Sequence, residues 1–197
     1  MKFQRGDYAY QGQVEAAGHE LYVATENRKM FIRSVELSKS MTDNKLINLM
    51  CYQYYAEFVR SIYEYYVAII KWDAGNTQLR GFDWDSKMNE AAQRLLNFYG
   101  PVRKPLDPAF PDTVPKQFGS RFRQIRNRTT HADYRRMIPG LGEDEITLAE
   151  FFLRYDFYCN LLLEHPQFSW GEKLFVNGYS WEPVNEFMHA VRGSEIA

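Results

Sequence analysis

The amino-acid sequence predicts an all-α protein, a four- to five-helix up-down bundle with short additions at its N- and C-terminal ends. Two observations carry this reading. Through the middle of the chain, apolar residues recur at spacings of three and four, the period of helices that pack side by side. The composition, 45% hydrophobic and 25% charged over 197 residues, supplies one well-buried core. A single domain over residues 1–197 is therefore expected, divided into an N-terminal addition (1–39), a core bundle (40–165) and a C-terminal addition (166–197).

The stretch from Leu21 to Leu37 reads either as a hairpin around Glu26-Asn27-Arg28 or as a helix, with helix favoured in its second half. The clearest element runs from about Asp43 to Trp72, with Cys51, Tyr55, Phe58, Ile62, Tyr65, Ile69 and Trp72 as its stripe and Ser40 or Thr42 as its cap. A shorter helix follows from about Ser86 to Tyr99, capped by Asp85 or Ser86 and ended by Gly100-Pro101. Five of the eight prolines lie between residues 101 and 115, which marks an extended loop. A third helix is expected from about Thr113 to Arg136, with Asp112 or Thr113 as cap and Pro115 in its first turn. The loop at 138–142 breaks it. A fourth, Leu148 to Glu164, is capped by Thr147 and stopped by Pro166; its stripe is Leu148, Phe151, Tyr155, Tyr158 and Leu162. A small hairpin is expected over Lys173–Trp181, turning at Asn177-Gly178, and a last helix over Pro183–Arg192, ended by Gly193.

Aromatic residues reach 16%, with 14 Tyr and 14 Phe, which suits a bulky core with hydroxyls at its edge; base-stacking platforms are the alternative. No apolar run approaches a membrane span and the N-terminus, MKFQRGDYAY, has no signal-peptide core, so a cytoplasmic location without a membrane partner is expected. Cys51 and Cys159 sit in helical patterns without a second Cys or His at ligand spacing, and read as free thiols. Neither a metal nor a cofactor is expected, since no Gly-rich phosphate loop, nucleophile elbow or Cys/His cluster is present. Glu186-x-x-His189 has the spacing of a di-iron ligand pair but no second such pair accompanies it, and both read as surface residues.

The third helix concentrates the charge. Lys116, Arg121, Arg123, Arg126, Arg128, Arg135 and Arg136 face a single anion, Asp133, giving +6 in a chain whose total is −1, so that the remainder sums to −7. A basic helix on an acidic body attracts polyanions; the alternative is a helix face whose charges pair with acidic neighbours. At about 100° per residue, Phe118, Phe122, Ile125, Thr129 and Ala132 fall within about 40° of one line, which must face the core. Arg126 lies about 80° from that line, and Thr130, Arg123, Tyr134, Asn127 and His131 between about 120° and 220°. Asn127 and His131 are an i, i+4 pair within reach of one another.

The run Arg126-Asn127-Arg128-Thr129-Thr130-His131 resembles the signature of the HEPN (higher eukaryotes and prokaryotes nucleotide-binding) superfamily: an Arg, a small polar residue, and a His a few residues on, in a bundle helix. The resemblance is sharp over residues 115–136, and elsewhere extends to the four- or five-helix architecture. Chance places an Arg five residues before some His with probability about 0.3, and about 0.02 once Asn must follow the Arg. The resemblance implies a metal-independent endoribonuclease of the toxin or antiviral-defence type, a homodimer whose two motifs form one composite RNA-cleaving site and leave a 2′,3′-cyclic phosphate. His131 would be general base or acid, Arg126 would hold the phosphate oxygens, and Asn127 would orient His131 or the phosphate. Thr130 and Tyr134 would be accessory. Lys116, Arg121, Arg123, Arg128, Arg135 and Arg136 would grip the RNA backbone. An antitoxin or regulatory protein is a further implied partner. Toxins of this family that are modified by nucleotidyltransferase antitoxins carry a Tyr two residues after the His; here that place is Asp133 and the Tyr is Tyr134, so that route is not expected. Many HEPN-like proteins are instead non-catalytic modules that bind nucleic acid, nucleotide or protein.

Overall fold

Six helices follow one another in the computed structural model, which describes residues 8–41, 43–76, 78–79, 83–130, 145–177 and 182–193 and contains no strand among them. They are α1 (Tyr8–Ser40), α2 (Lys45–Asp73), α3 (Trp84–Arg103), α4 (Phe118–Thr130), α5 (Leu148–Asn177) and α6 (Glu182–Gly193). The all-helical bundle expected from the sequence is what the chain forms.

The whole of Tyr8–Ser40 is one helix, so the hairpin alternative around residues 26–28 falls away. Leu21 and Ala24 bury one side of it, with Phe31 partly buried beyond them. The residues that suggested a turn are occupied within and across helices. Asn27 Nδ2 donates to the Val23 carbonyl at 2.9 Å, and Arg28 forms a two-pronged bond to Asp156 of α5 at 3.0 and 2.9 Å. α1 lies along α2 over most of its length as an antiparallel helical hairpin. Asn44, not Ser40, caps α2, its side chain accepting from the backbone of Leu46 and Ile47 at 3.0 and 3.2 Å; Thr42 lies outside the described residues. At the far end Gly75, at φ 57°, lets the chain reverse while Gly75 and Asn76 donate to the Trp72 and Lys71 carbonyls.

Asp83 caps α3, two or three residues before the position the sequence suggested, and the helix runs through Gly100-Pro101 to Arg103. Proline there removes one hydrogen bond, from the carbonyl of the exposed Asn97, which water can reach. α4 begins later than expected, at Phe118. Neither Asp112 nor Thr113 caps it, because side-chain amides of α3 bind the backbone of the preceding loop outside a helix. Gln93 donates to the Asp112 carbonyl and accepts from Val114 N–H, both at 2.9 Å, and Asn89 donates to the Lys116 carbonyl at 2.9 Å. Asn89 Oδ1 also accepts from Gly119 N–H at 2.8 Å, tying the first turn of α4 to α3. The helices touch so closely here that a Cβ on Gly119 would lie 2.0 Å from the Asp85 carbonyl oxygen.

Thr147 and Glu150 form a reciprocal capping box at the start of α5. The helix does not stop at Pro166 but continues to Asn177, which removes the expected hairpin over Lys173–Trp181; residues 178–181 lie outside the described residues, as does the loop at 138–142. Pro166 cannot donate to the Leu162 carbonyl four residues back, and the buried Tyr66 hydroxyl of α2 donates to it instead, at 3.0 Å. The core between α4 and α5 is an aromatic stack in which Phe118, Phe122, Phe151 and Tyr155 follow at ring separations of 5.3 to 5.9 Å.

Candidate functional site

α4 faces inward as its periodicity requires: Phe118, Phe122 and Ile125 are buried to 2% exposure or less, and Thr129 to 9%. Tyr63 of α2 meets the Phe122 ring edge-on at 5.0 Å, which sets α4 against the middle of α2. The outer flank of α4 then brings Arg126 and Asn127 beside Glu64 of α2. Arg126 Nε and Nη2 both contact Glu64 Oε1, and Arg126 Nη1 donates to Asn127 Oδ1 at 2.9 Å. The guanidinium carbon also lies 5.9 Å from the Tyr63 ring centre. Among the described residues, three of the five guanidinium N–H groups are thus engaged, which leaves one on each terminal nitrogen to meet a ligand oxygen. The Arg126 side chain is 30% exposed and Glu64 23%, so the pair sits at the surface of the bundle rather than inside it.

Glu64 was not singled out by the sequence reading. Its signal was there, however: it is the lone charge in the run Ser61–Ile70, where an acid facing the core must find a cation or the rim.

The remaining cations of the basic helix divide sharply. Lys116 is exposed at the approach to α4. Arg121 reaches Gln124 at 3.3 Å. Arg123 forms a two-pronged bond to Asp85 of α3 at 2.7 and 2.8 Å, which holds its guanidinium above its ordinary pKa. Arg128 corrects the expectation. It is 8% exposed, donates to the Ile146 carbonyl at 2.5 Å and pairs with Glu145 at 2.7 Å, so it braces the entry to α5 and is withdrawn from any RNA backbone. The exposed Thr130 donates back to the Arg126 carbonyl at 2.8 Å. His131, Tyr134, Arg135 and Arg136 lie outside the described residues. The acidic-neighbour alternative therefore holds for Arg123, Arg126 and Arg128, each matched to one carboxylate.

Arg123, Arg126 and Asn127 line a cleft of about 470 Å³, together with Tyr63, Glu64, Val67, Lys71, Gln78, Leu79 and Trp84. Burial pushes the Tyr63 phenol up to about 12, so it stays protonated at neutral pH and can donate but not act as a base. A second cavity, of about 490 Å³, opens on the other flank of α4; Phe31, Val35, Tyr52, Ile125 and Phe152 make it largely apolar. No group of three or more His, Cys, Asp or Glu among the described residues could hold a metal ion, and Glu186 and His189 of α6 are exposed. Cys159 is buried and free, with burial raising its thiol pKa, and Cys51 is half-buried and free. No described helix is long and apolar enough to cross a membrane. Comparison with family models, with curated proteins and with solved structures found no match.

Proposed function

We propose that the chain is a metal-independent RNA endonuclease of the HEPN type, serving as a toxin or in antiviral defence, with a composite site completed by a second copy. The observation that supports it is the Arg126–Asn127 pair: adjacent residues, hydrogen-bonded to each other, on the outer flank of α4 and at the edge of a cleft large enough for part of an RNA chain. Glu64 holds the Arg126 fork in one orientation, and an oriented fork stabilises the growing charge of a crowded phosphate better than a mobile one.

In the reaction, His131 of one copy takes the proton of the 2′-hydroxyl as the 2′-oxygen bonds to phosphorus. The phosphorus–O5′ bond breaks, and His131 of the other copy protonates the leaving O5′, yielding a 2′,3′-cyclic phosphate and a 5′-hydroxyl. Arg126 and Asn127 hold the phosphate meanwhile. The need for a 2′-hydroxyl restricts the substrate to RNA.

The pairing of Arg123, Arg126 and Arg128 with Asp85, Glu64 and Glu145 favours a second reading, a non-catalytic helical module that binds a partner through the same face. One assay separates them. Purified protein is incubated with labelled RNA in EDTA beside His131→Ala and Arg126→Ala. Cleavage by the wild type, reduced about 10²-fold or more in both variants, is the expected result. Equal RNA binding by all three without cleavage identifies the module and defeats the nuclease.

A further inference from the structure

The cleft beside Arg126 holds more than the motif. Its charges nearly cancel: Arg123 is matched by Asp85 and Arg126 by Glu64, while no carboxylate pairs with the half-buried Lys71 among the described residues. The one uncompensated positive charge in this partly enclosed space suits a singly charged phosphodiester. The rest of the lining is what a base needs. The half-buried Trp84 lines it together with the apolar Val67 and Leu79, and the Gln78 amide offers both a donor and an acceptor to a base edge. The volume lies in the range of about 300–1,000 Å³ that small-ligand sites occupy.

We infer that this cleft is a nucleotide subsite that seats one residue of a single-stranded RNA, with Trp84 stacking its base, Gln78 reading the base edge, and Lys71 holding the phosphate next to the one that Arg126 grips. The inference rests on the RNA reading above and adds recognition residues from α2, α3 and the turn between them, outside the Arg-Asn-x-x-x-His run.

The test uses the full chain and a fluorescein-labelled tetranucleotide of 2′-O-methyl RNA, which can bind but lacks the attacking hydroxyl. Anisotropy is followed over a range of KCl concentrations. Lys71→Met should weaken binding about fivefold at low salt and reduce the slope of log K against log salt by about 0.7, the signature of one lost phosphate contact. Trp84→Leu should weaken it about tenfold, and Trp84→Phe, which keeps a ring in place, should recover most of the loss. The inference is overturned if the wild type does not bind the oligonucleotide, if Lys71→Met binds equally with an unchanged slope, or if a phosphotyrosine peptide competes as well as the oligonucleotide. The two readings fail separately. Binding that depends on Lys71 without cleavage of unmodified RNA keeps the subsite and removes the nuclease. Cleavage with unchanged KM in Lys71→Met keeps the nuclease and removes the subsite.

Discussion

Asn127 and Arg128 are chain neighbours with opposite fates. Asn127 stands exposed at the cleft beside Arg126, whereas Arg128 turns inward to Glu145 and the Ile146 carbonyl. On a helical wheel Arg128 lies about 80° from the core line, as far on one side as Arg126 lies on the other. The sequence could not separate the two, because the carboxylates that claim them, Glu64 and Glu145, come from elements distant in the chain or at the end of a loop. Removing a buried partner leaves the other charge stranded. Arg128→Met is therefore expected to destabilise the fold by about 3 kcal/mol through the orphaned Glu145, with RNA affinity per folded molecule unchanged. Urea unfolding and binding titrations on the same preparation check both halves, and a loss of affinity without a loss of stability would return Arg128 to the RNA-facing set.

Two prolines mark where local rules and packing part company among the elements. Pro101 and Pro166 both read as stops, and both lie inside helices. At Pro101 water can satisfy the freed carbonyl, since Asn97 is exposed. At Pro166 the site is buried, and the Tyr66 hydroxyl donates to the Leu162 carbonyl that the proline leaves without its usual backbone donor. Tyr66→Phe should accordingly cost about 1–3 kcal/mol. Pro166→Ala restores a backbone donor to Leu162, so the same Tyr66→Phe change should cost markedly less in that background. A double-mutant cycle by urea denaturation measures the coupling, and additive losses would show that the hydroxyl has no such role. The stripes of α4 and α5 were largely legible, because each buries one face, whereas α2 buries a wider arc that takes in Ser61, Tyr63 and Tyr66 and leaves Cys51, Ile69 and Trp72 half-buried. The late start of α4 was not legible, because Gln93 and Asn89, a helix away, take up backbone groups of Asp112, Val114 and Lys116.

For the molecule as a whole, the proposal requires two copies to make one site, and this can be tested without knowing where they touch. Once subunits have exchanged, an equal amount of His131→Ala protein should place half of the wild-type chains in mixed pairs that carry a single histidine, so RNA cleavage per wild-type chain should fall to about half. A site contained in one subunit leaves that rate unchanged. The sequence alone determined the helical class, the buried lines of α4 and α5 and the outward position of Asn127, because each follows from a 3.6-residue period and from the cost of burying polar groups. Which arginine meets solvent, which carboxylate steadies the motif, and that Lys71, Gln78 and Trp84 share its cleft were decided only by the tertiary structure. Those relations join positions far apart along the chain, and the geometry that unites them exists only once the helices have packed.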